Sequence, residues 1–508
     1  MNWRILYIVF VVVFVYLLFY EWSKEEQVKS DLVAANRVSL EGGVEDEVSV
    51  VALESDGLKV SIEPLTGAIV GVELKKYPVL QSPESPSVRV LGSKDGFRFY
   101  IKSGFKDLVL EDLKIIAQDQ KELILGSEDG SLRKKYYFKG EYGFVVEDSY
   151  GGLVGGDPYV FMYRTDGKPL DSRSGFFEGS SYVGVAFNTP ESPYENYRLG
   201  SIDNSIVFND QLGGWVGFIQ KYFLSAIIFD PSDRVRLLAQ PPENKQGGLY
   251  ALGGFINDKT ALDKSGGIRH EFFFGPKVRS DLMAVSKDLE LTIDMGWFWF
   301  LAQPLMMLLV VINGLVSNWG VAIILLTLIV KVLLWPLSSA SFRSMARMRA
   351  VQPQLKEIQD RYKNDRQKLG MEMMALYKKE KINPAGGCFP MLLQFPVFIA
   401  LFFALREAVE LRHAPFFFWL TDLSAPDPLF ILPISMAVLM YLTQKLNPQP
   451  PNMDPMQANM LKFMPVAISV LFIFLPSGLV LYSVANAAIS LVQQKLLYKK
   501  HGADSSGP

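Results

Sequence analysis

The sequence is poor in the residues that most often build disulfides, metal sites and catalytic triads. It has a single cysteine, Cys388, so no disulfide bond can form within the chain. Its three histidines, His270, His413 and His501, are scattered, which argues against a histidine-based metal site or triad. A glycine-rich phosphate loop and a paired-carboxylate motif are also missing. We therefore expect no metal, no cofactor and no enzymatic activity.

The net charge is also small. At −2 it argues against a general nucleic-acid-binding surface. Apolar residues make up 49% of the 508 residues and concentrate in residues 1–20 and after residue 295. The middle of the chain has the composition of an ordinary globular protein. A chain of this length has room for two or three domains, so the distribution predicts membrane segments flanking a water-soluble domain.

The N-terminus carries an uninterrupted apolar run, Ile5 to Tyr20, with Trp3 and Trp22 at its ends. A cleaved signal peptide needs small residues at its cleavage site, and the sequence YEWSKE at 20–25 is a poor match to one. The pattern therefore favours an uncleaved transmembrane anchor at 1–23. Residues 24–50 are charged and polar without an apolar period, which indicates a linker.

Residues 51–290 predict one large, all-β domain. Short alternating or apolar runs recur between Gly, Asp, Asn and Pro turn signals, at a length and regularity that suit a β-sandwich. These runs are 58–62, 97–101, 123–125, 136–138, 144–147, 205–208, 215–218 and 226–229. One helical stretch, 280–289, is predicted at the end of the domain. The domain carries no motif that specifies a chemistry.

The uncharged segment 297–316 allows two interpretations. Hydropathy favours a transmembrane span, whereas Pro304, Asn313 and the aromatic start favour a helix lying in the outer interface. Cytoplasmic loops carry an excess of Lys and Arg. If the chain starts inside, a single crossing at 316–337 places the basic segment that follows inside, and a second crossing would place it outside. We therefore expect an interfacial amphipathic helix at 295–315.

The basic segment 340–386 predicts a cytoplasmic helical hairpin, with helices at 341–360 and 365–380. The positions expected to pack the two helices together are Met345, Met348, Ile358, Met373, Met374 and Leu376. Such a hairpin could be no more than a solvated one, or it could dock an anionic partner such as ribosomal RNA or lipid headgroups. The candidate docking residues are Arg343, Arg347, Arg349, Arg361, Lys363, Lys378 and Lys379.

Four further spans are predicted at about 388–409, 429–446, 461–475 and 479–496. The loop 410–428 lies outside in this scheme and contains an aromatic patch, Phe416 to Trp419. Counting the N-terminal anchor, the chain has six spans, with both termini inside. Five of these spans, within 316–500, form the core, and 501–508 is a short tail.

The span 316–337 carries a single cation, Lys331. A charge at membrane depth costs about 2.5–3.5 kcal/mol, so it marks either a functional site or a side chain that reaches back to the surface. Thr327 lies one turn earlier on the same face. Further polar groups occur on other spans: Gln394, Ser469, Tyr482, Ser483, Asn486 and Ser490. These groups either hydrogen-bond helices together or, with Lys331, line a hydrophilic cationic groove.

Several motifs resemble the YidC family of membrane protein insertases over residues 295–500. They include Lys331 with Trp335–Leu337, the SMARMR run at 344–349, MMALY at 373–377, NPAGGCFP at 383–390, DPMQ at 454–457 and FLPSGLVLY at 474–482. The anchor and large β domain resemble the Gram-negative branch. That resemblance implies a bacterial inner-membrane protein with an α-helical polytopic core and an all-β periplasmic supersandwich.

The resemblance also implies a function and its residues. It implies an insertase and chaperone that acts alone or with the Sec translocon on nascent membrane proteins, with the ribosome, Sec accessory subunits and lipids as partners. The substrate groove would comprise Lys331, Thr327, Gln394, Tyr482 and Ser483, and Phe395 and Phe398 would form a slide for the apolar segment. Lys331 replaces the usual Arg and offers a point charge rather than a bidentate fork. A polytopic transporter or sensor with an external β domain is the alternative.

Overall fold

The computed structural model describes residues 50–94, 97–105, 112–151, 158–165, 183–242, 249–256, 267–362, 365–380, 389–446, 467 and 469–503. The predicted anchor at 1–23 and nearly all of the linker at 24–50 lie outside these residues. The chain divides into two compact units, Met1–Ile293 and Asp294–Pro508.

The first unit is built from β-strands whose alternating side chains bury one or both faces, as in LKVSIE at 58–63. The described strands are β1 Val51–Glu54, β2 Leu58–Glu63, β3 Ala68–Pro78, β4 Ser87–Lys94, β5 Phe97–Phe105, β6 Lys114–Gln118, β7 Glu122–Gly126, β8 Leu132–Lys139, β9 Gly143–Tyr150, β10 Pro158–Thr165, β11 Gly184–Asn188, β12 Glu195–Arg198, β13 Ile206–Ile219, β14 Phe223–Gln240, β15 Leu249–Ile256 and β16 Gly267–Pro276.

These strands form one antiparallel sheet in the order β1-β2-β3-β4-β5-β10-β15-β14-β16-β9-β8-β7-β6, and a branch of β13, β11 and β12 leaves from β14. The sheet folds over on itself, because strands that are distant in this order contact each other. The rings of Phe99 on β5 and Phe218 on β13 lie 5.1 Å apart, edge to face. The predicted β-rich domain is thus confirmed. A short helix, α1 Arg279–Val285, follows the last strand, where a helix was expected.

One strand boundary was predicted wrongly. Segments 205–208 and 215–218 were expected to be separate strands, but both belong to β13. Its register against β14 shifts between Phe208 and Gln211 and again between Leu212 and Gly214. Asp210, Gly213 and Gly214 have positive φ there. The polar turn residues therefore form bulges that bend a continuous strand, rather than a loop that ends it.

The interior of this unit contains a charged cluster, which no local pattern in the sequence predicted. The ammonium of Lys134 lies 2.7 Å from the Asp148 carboxylate, and both side chains are fully buried. Lys134 also donates to the carbonyl and the hydroxyl of Ser103, each at 2.9 Å. Nε2 of His270 lies 3.5 Å from Asp148. Four different strands supply these groups.

The second unit is helical. Its described α-helices are α2 Trp299–Val316, α3 Trp319–Leu333, α4 Trp335–Ala350, α5 Gln352–Arg361, α6 Arg366–Lys379, α7 Phe389–Glu407, α8 Ile431–Leu446 and α9 Ser477–Ala503. Within the described residues α2 is the helix long and apolar enough to cross a membrane unbroken, and α3 with α4 passes the same test as a bent pair. Of the predicted span 461–475, only 467 and 469–475 are described; Val470–Phe474 there is a 3-10 helix.

The predicted span 316–337 and helix 341–360 do not have the expected boundaries. Helix α3 ends at Leu333, and the chain bends by 68° into α4. Pro336 lies in the first turn of α4, where a missing N–H does no harm, and it cannot continue α3. Pro353 likewise starts α5, so the first helix of the hairpin is split at Val351.

The hairpin of α5 and α6 packs on its own apolar core. Val351, Leu355, Leu376 and Tyr377 are buried together, and Met348, Ile358 and Met373 pack against them. Four of the expected positions are therefore confirmed. Met345 is buried on α4, outside this cluster, whereas Met374 is 53% exposed. Val351 and Leu355 were missed because the break at Val351 shifts the helical phase, and Tyr377, on α6, was missed as well.

Candidate functional site

Helix α9 is the element around which the polar groups of the core collect. It contacts α3, α4, α7 and α8. Its polar residues Ser483, Asn486, Ser490 and Gln493 are spaced by three, four and three positions, so they share one face of the helix. A polar stripe on a helix that neighbours enclose must find partners inside the core.

Lys331 lies in the last turn of α3 and is 7% exposed. Its ammonium donates to the Ser490 hydroxyl at 2.8 Å, and that hydroxyl donates to the Asn486 carbonyl at 2.7 Å. Among the described residues no carboxylate is paired with Lys331. The cation is therefore enclosed by helices, without a counter-charge and with donor capacity left over, since an ammonium has three N–H groups. The side chain of Lys331 therefore does not extend back to the surface, which was the alternative interpretation of this cation.

A second polar contact joins α7 to α9. The amide of Gln394 donates to the hydroxyl of Tyr482, which is 1% exposed. Tyr482 and Ser490 are eight residues apart on α9, or about 12 Å along its axis. The predicted groove residues thus form two contacts at different depths, one through Tyr482 and one through Lys331.

Thr327 and Ser483 are buried, but their hydroxyls bond within their own helices. Thr327 donates to the Ile323 carbonyl at 2.7 Å, and Ser483 to the Leu479 carbonyl at 2.9 Å. Both residues lie one turn or two from a contact residue on the same helix face. The structure therefore places them beside the polar contacts without showing a bond to Lys331 or Tyr482.

Sequence reasoning singled out Ser490 only as one polar residue among several, and Gln493 not at all. Gln493 is 1% exposed and donates to the Ser339 hydroxyl on α4 at 3.3 Å. Within the described residues its Oε1 and the Oδ1 of Asn486 are buried without a hydrogen-bond partner. The spacing 483, 486, 490 and 493 was the signal that could have identified this stripe.

The two phenylalanines of the predicted slide lie on α7 beside Gln394. Phe395 is 58% exposed, and Phe398 is half-buried. They follow Gln394 by one and four positions, so α7 carries a polar contact and an apolar surface side by side. The helix can therefore offer both kinds of environment to one guest chain.

The basic segment 340–386, which includes the end of α4 as well as α5 and α6, exposes its cations. Arg343, Arg347, Arg349, Arg361, Lys378 and Lys379 are all solvent-exposed, while Lys363 lies outside the described residues. The guanidinium of Arg349 lies 5.9 Å from the ring of Tyr498 on α9. Burial in the hairpin core raises the pKa of Tyr377, whose ring packs between the two helices. A self-packed core that leaves the cations on the surface suits docking of an anionic partner.

No group of three or more His, Cys, Asp or Glu side chains that could hold a metal ion occurs in the part of the chain that the structure describes. Among the described residues, the polar contacts around Lys331 and Tyr482 are made by neutral groups and one cation. Such a set can hydrogen-bond and attract a polar or acidic segment.

Comparison with known proteins covers both units. A family model described as YidC periplasmic domain matches residues 50–308, and one described as 60Kd inner membrane protein matches 311–504. The membrane protein insertase YidC of Psychromonas ingrahamii is 38% identical over 88% of this chain and 82% of its own length. The corresponding protein of Shewanella amazonensis is 36% identical over 93% of this chain and 91% of its own length.

A solved YidC insertase with its first transmembrane domain resolved is 21% identical, with a TM-score of 0.41, and the match covers 88% of this chain and 92% of that one. The structural similarity at this level carries no weight, and the sequence matches decide the assignment. They define an inner-membrane protein with a β-rich periplasmic domain and a helical region. The chain belongs to the YidC family of membrane protein insertases. The alternative of a transporter or sensor is not favoured.

Proposed function

We propose that the core shelters the polar segment of a nascent membrane protein next to Lys331 while the apolar segment of that client enters the lipid. The observation that carries this proposal is the enclosed ammonium, 7% exposed, whose partner among the described residues is the neutral hydroxyl of Ser490. A buried cation without a counter-ion gains most from a guest that brings acceptor groups or negative charge.

The apolar segment would leave along the exposed surface of α7 at Phe395 and Phe398. Transfer of about twenty apolar residues into lipid drives the step, so neither nucleotide nor cofactor is required. The groove in this scheme comprises Lys331, Thr327, Gln394, Tyr482 and Ser483, and we add Ser490 because its hydroxyl accepts from the ammonium.

For the topology we propose six spans, both termini in the cytoplasm and α2 in the outer interface. Contacts at both ends of α2 support this. Gly296, just before α2, lies so close to Phe403 near the end of α7 that a Cβ there would come within 2.4 Å of the ring. Asn318, just after α2, donates to the Phe416 carbonyl at 3.3 Å. Both ends of α2 are therefore held by the end of α7 or by the segment that follows it. This favours a helix that stays on one side of the membrane over a helix that crosses it.

The exposed cations of the hairpin would dock the ribosome and its nascent chain, and the Sec translocon, its accessory subunits and membrane lipids would be further partners. Exposed Lys and Arg attract nucleic-acid phosphates and lipid headgroups at long range, and this attraction weakens with salt. The hairpin would then supply the client, and the core would receive it.

The test is insertion of a short single-span client by vesicles that contain purified protein. We expect Lys331→Ala to slow insertion about tenfold or more, because loss of one charged hydrogen bond is worth about 1.5–3 kcal/mol. Lys331→Arg retains the charge and should retain most of the rate. Val332→Ala, which trims a neighbouring side chain that is 60% exposed and so points away from the enclosed site, is the control. An unchanged rate in Lys331→Ala would contradict the proposal.

A further inference from the structure

The segment Ala408–Phe430 between α7 and α8, here the outer cap, has an internal structure built around two aspartates. Asp422 accepts from the backbone N–H of His413 at 3.1 Å and from the backbone and hydroxyl of Ser424 at 2.9 and 2.7 Å. Asp427 is 1% exposed and accepts from the Trp419 indole at 2.9 Å and the Leu432 N–H at 2.7 Å. Both carboxylates therefore face inward and hold the backbone.

The outer cap is also fastened to the helices of the core. The first residues of α9 donate into it, with the Ser477 N–H on the Ala425 carbonyl at 2.7 Å and the Gly478 N–H on the Leu423 carbonyl at 2.9 Å. Phe416 packs on the start of α3, where a Cβ added to Gly320 would lie 2.1 Å from its ring. These bonds make the outer cap a rigid part of the core rather than a loose loop.

This rigid segment presents an aromatic tip. Phe418 is 93% exposed and has φ of 56°, and its ring stacks on Trp419 at 6.3 Å. Phe417 is 50% exposed. A phenylalanine in the left-handed region is strained by about 1–3 kcal/mol. The surrounding bonds thus hold a large apolar ring outward in an unfavourable backbone conformation, and folding of the segment itself gains nothing from its exposure.

The surroundings of the tip indicate what covers it. From Ala414 to Leu420 the segment carries no charged residue. Beyond the tip, exposed apolar positions recur at helical spacing from Phe430, the last residue of the outer cap, along one face of α8. These positions are Phe430 at 47%, Ile434 at 60%, Val438 at 52% and Leu442 at 37%. In a membrane protein such a face lies against lipid, and aromatic rings at its end lie at the headgroup level.

We propose that Phe417 and Phe418 form a wedge that inserts into the boundary between headgroups and acyl chains of the outer leaflet. The partner is the lipid surface, and Trp419, held by Asp427, positions the two rings. The placement in the outer leaflet, though not the insertion into lipid, depends on the topology proposed above. The wedge would fix the depth of the outer end of the core, and with it the depth of Lys331.

The experiment places a nitroxide on the tip of the full chain in vesicles of phosphatidylethanolamine and phosphatidylglycerol. The background is Cys388→Ser, which removes the one native thiol. Labels are attached to Phe418→Cys and, separately, to Phe417→Cys, whose backbone has no positive φ. Val207→Cys in the β domain, where the native side chain is 46% exposed, is the water-facing control. Relaxation by oxygen reports lipid, and relaxation by a water-soluble nickel chelate reports water.

We expect oxygen to relax the labels at 417 and 418 more than the nickel chelate does, and the reverse order at 207. Labels at 417 and 418 that resemble the one at 207 would overturn the proposal. If the proposal were overturned in this way and photo-crosslinking from 418 in native membranes captured a protein, the tip would be a protein-docking surface.

Because the depth of the labels is measured without a client, this result is independent of insertion activity. A lipid-facing label reducible only from the cytoplasmic side would keep the wedge but contradict the proposed topology.

Discussion

At the scale of single residues, two of the buried lysines in the described structure, Lys134 and Lys331, are held in opposite ways. Lys134 is fully buried against Asp148 at 2.7 Å and donates twice more to Ser103. Lys331 is enclosed almost as well but donates to the hydroxyl of Ser490, with no described carboxylate as its partner. A charge in a satisfied ion pair gains little from binding a ligand, whereas an ammonium without a counter-charge can bind an acceptor group or an anion. The contrast separates a structural cation from the candidate functional one.

The Lys134–Asp148 pair makes a prediction about stability. We expect Asp148→Asn to lower the stability of the β domain by about 3–5 kcal/mol, because it leaves an uncompensated buried charge. The double variant Lys134→Met with Asp148→Leu should lose far less, since it removes both charges. Thermal unfolding of the full chain in detergent, followed by the β-sheet circular dichroism signal, measures both. Equal losses in the single and double variants would show that the charges are not coupled.

The same pair fixes the pH dependence. Burial alone would raise the pKa of Asp148, but the Lys134 ammonium outweighs it and holds that pKa well below its usual range. The pair's contribution is therefore fully present above the pKa of the unfolded carboxyl, about 3.9, and is lost as pH falls through the lower folded pKa. We expect stability of the β domain to be insensitive to this group at neutral pH and to fall only in strong acid. An acid-induced loss of similar size in the double variant would assign it to other carboxyls.

Two serines on α9 provide a matched pair for the site. The Ser490 hydroxyl accepts from Lys331, whereas the Ser483 hydroxyl bonds only its own helix backbone in the described structure. We expect Ser490→Ala to slow client insertion severalfold, because the ammonium loses its acceptor, and Ser483→Ala to have a smaller effect. Initial insertion rates in vesicles, at matched protein content, decide between them. Equal effects would mean that the hydrogen bond between Lys331 and Ser490 does not set the position of the cation.

At the scale of elements, α2 depends on how its ends are held. Gly296 has φ of 65° and no room for a Cβ against Phe403, whereas Gly314, inside the same helix, has nothing within 4 Å of a Cβ. We expect Gly296→Ala to lower the midpoint of thermal unfolding, since it adds backbone strain and a clash. Gly314→Ala should leave it unchanged or raise it, because Ala favours a helix by about 1 kcal/mol over Gly. The opposite order would show that α2 is not held at Gly296.

At the scale of the whole molecule, the topology has one decisive measurement. In the Cys388→Ser background, Val207→Cys should react with a membrane-impermeant thiol reagent from the periplasmic side. Met374→Cys, at a position 53% exposed in the hairpin, should react only after the inner membrane is opened. Because a second crossing by α2 would move the hairpin outside, labelling of residue 374 in intact spheroplasts would contradict an interfacial α2.

The sequence by itself determined the division into a β part and a helical part, the family and the position of the one cation in α3. Each of these depends on signals that are local along the chain: alternation of period two, apolar runs, charge bias and short motifs. The breaks at Pro336 and Pro353 also have a local signal, because a proline cannot continue the preceding helix. The predicted helices nevertheless ran through both positions. The same locality explains why the bulged strand β13 was predicted as two: its turn residues look alike whether they end a strand or bend one.

Only the tertiary structure decided which polar groups meet. Lys331 and Ser490 are 159 positions apart, and Ser103 and Asp148 are 45 apart. Composition and spacing fix which face of a helix or strand a side chain occupies, but not which other element lies against that face. That choice is made by the packing of the elements around each side chain, which here gives Lys134 a carboxylate and Lys331 a hydroxyl.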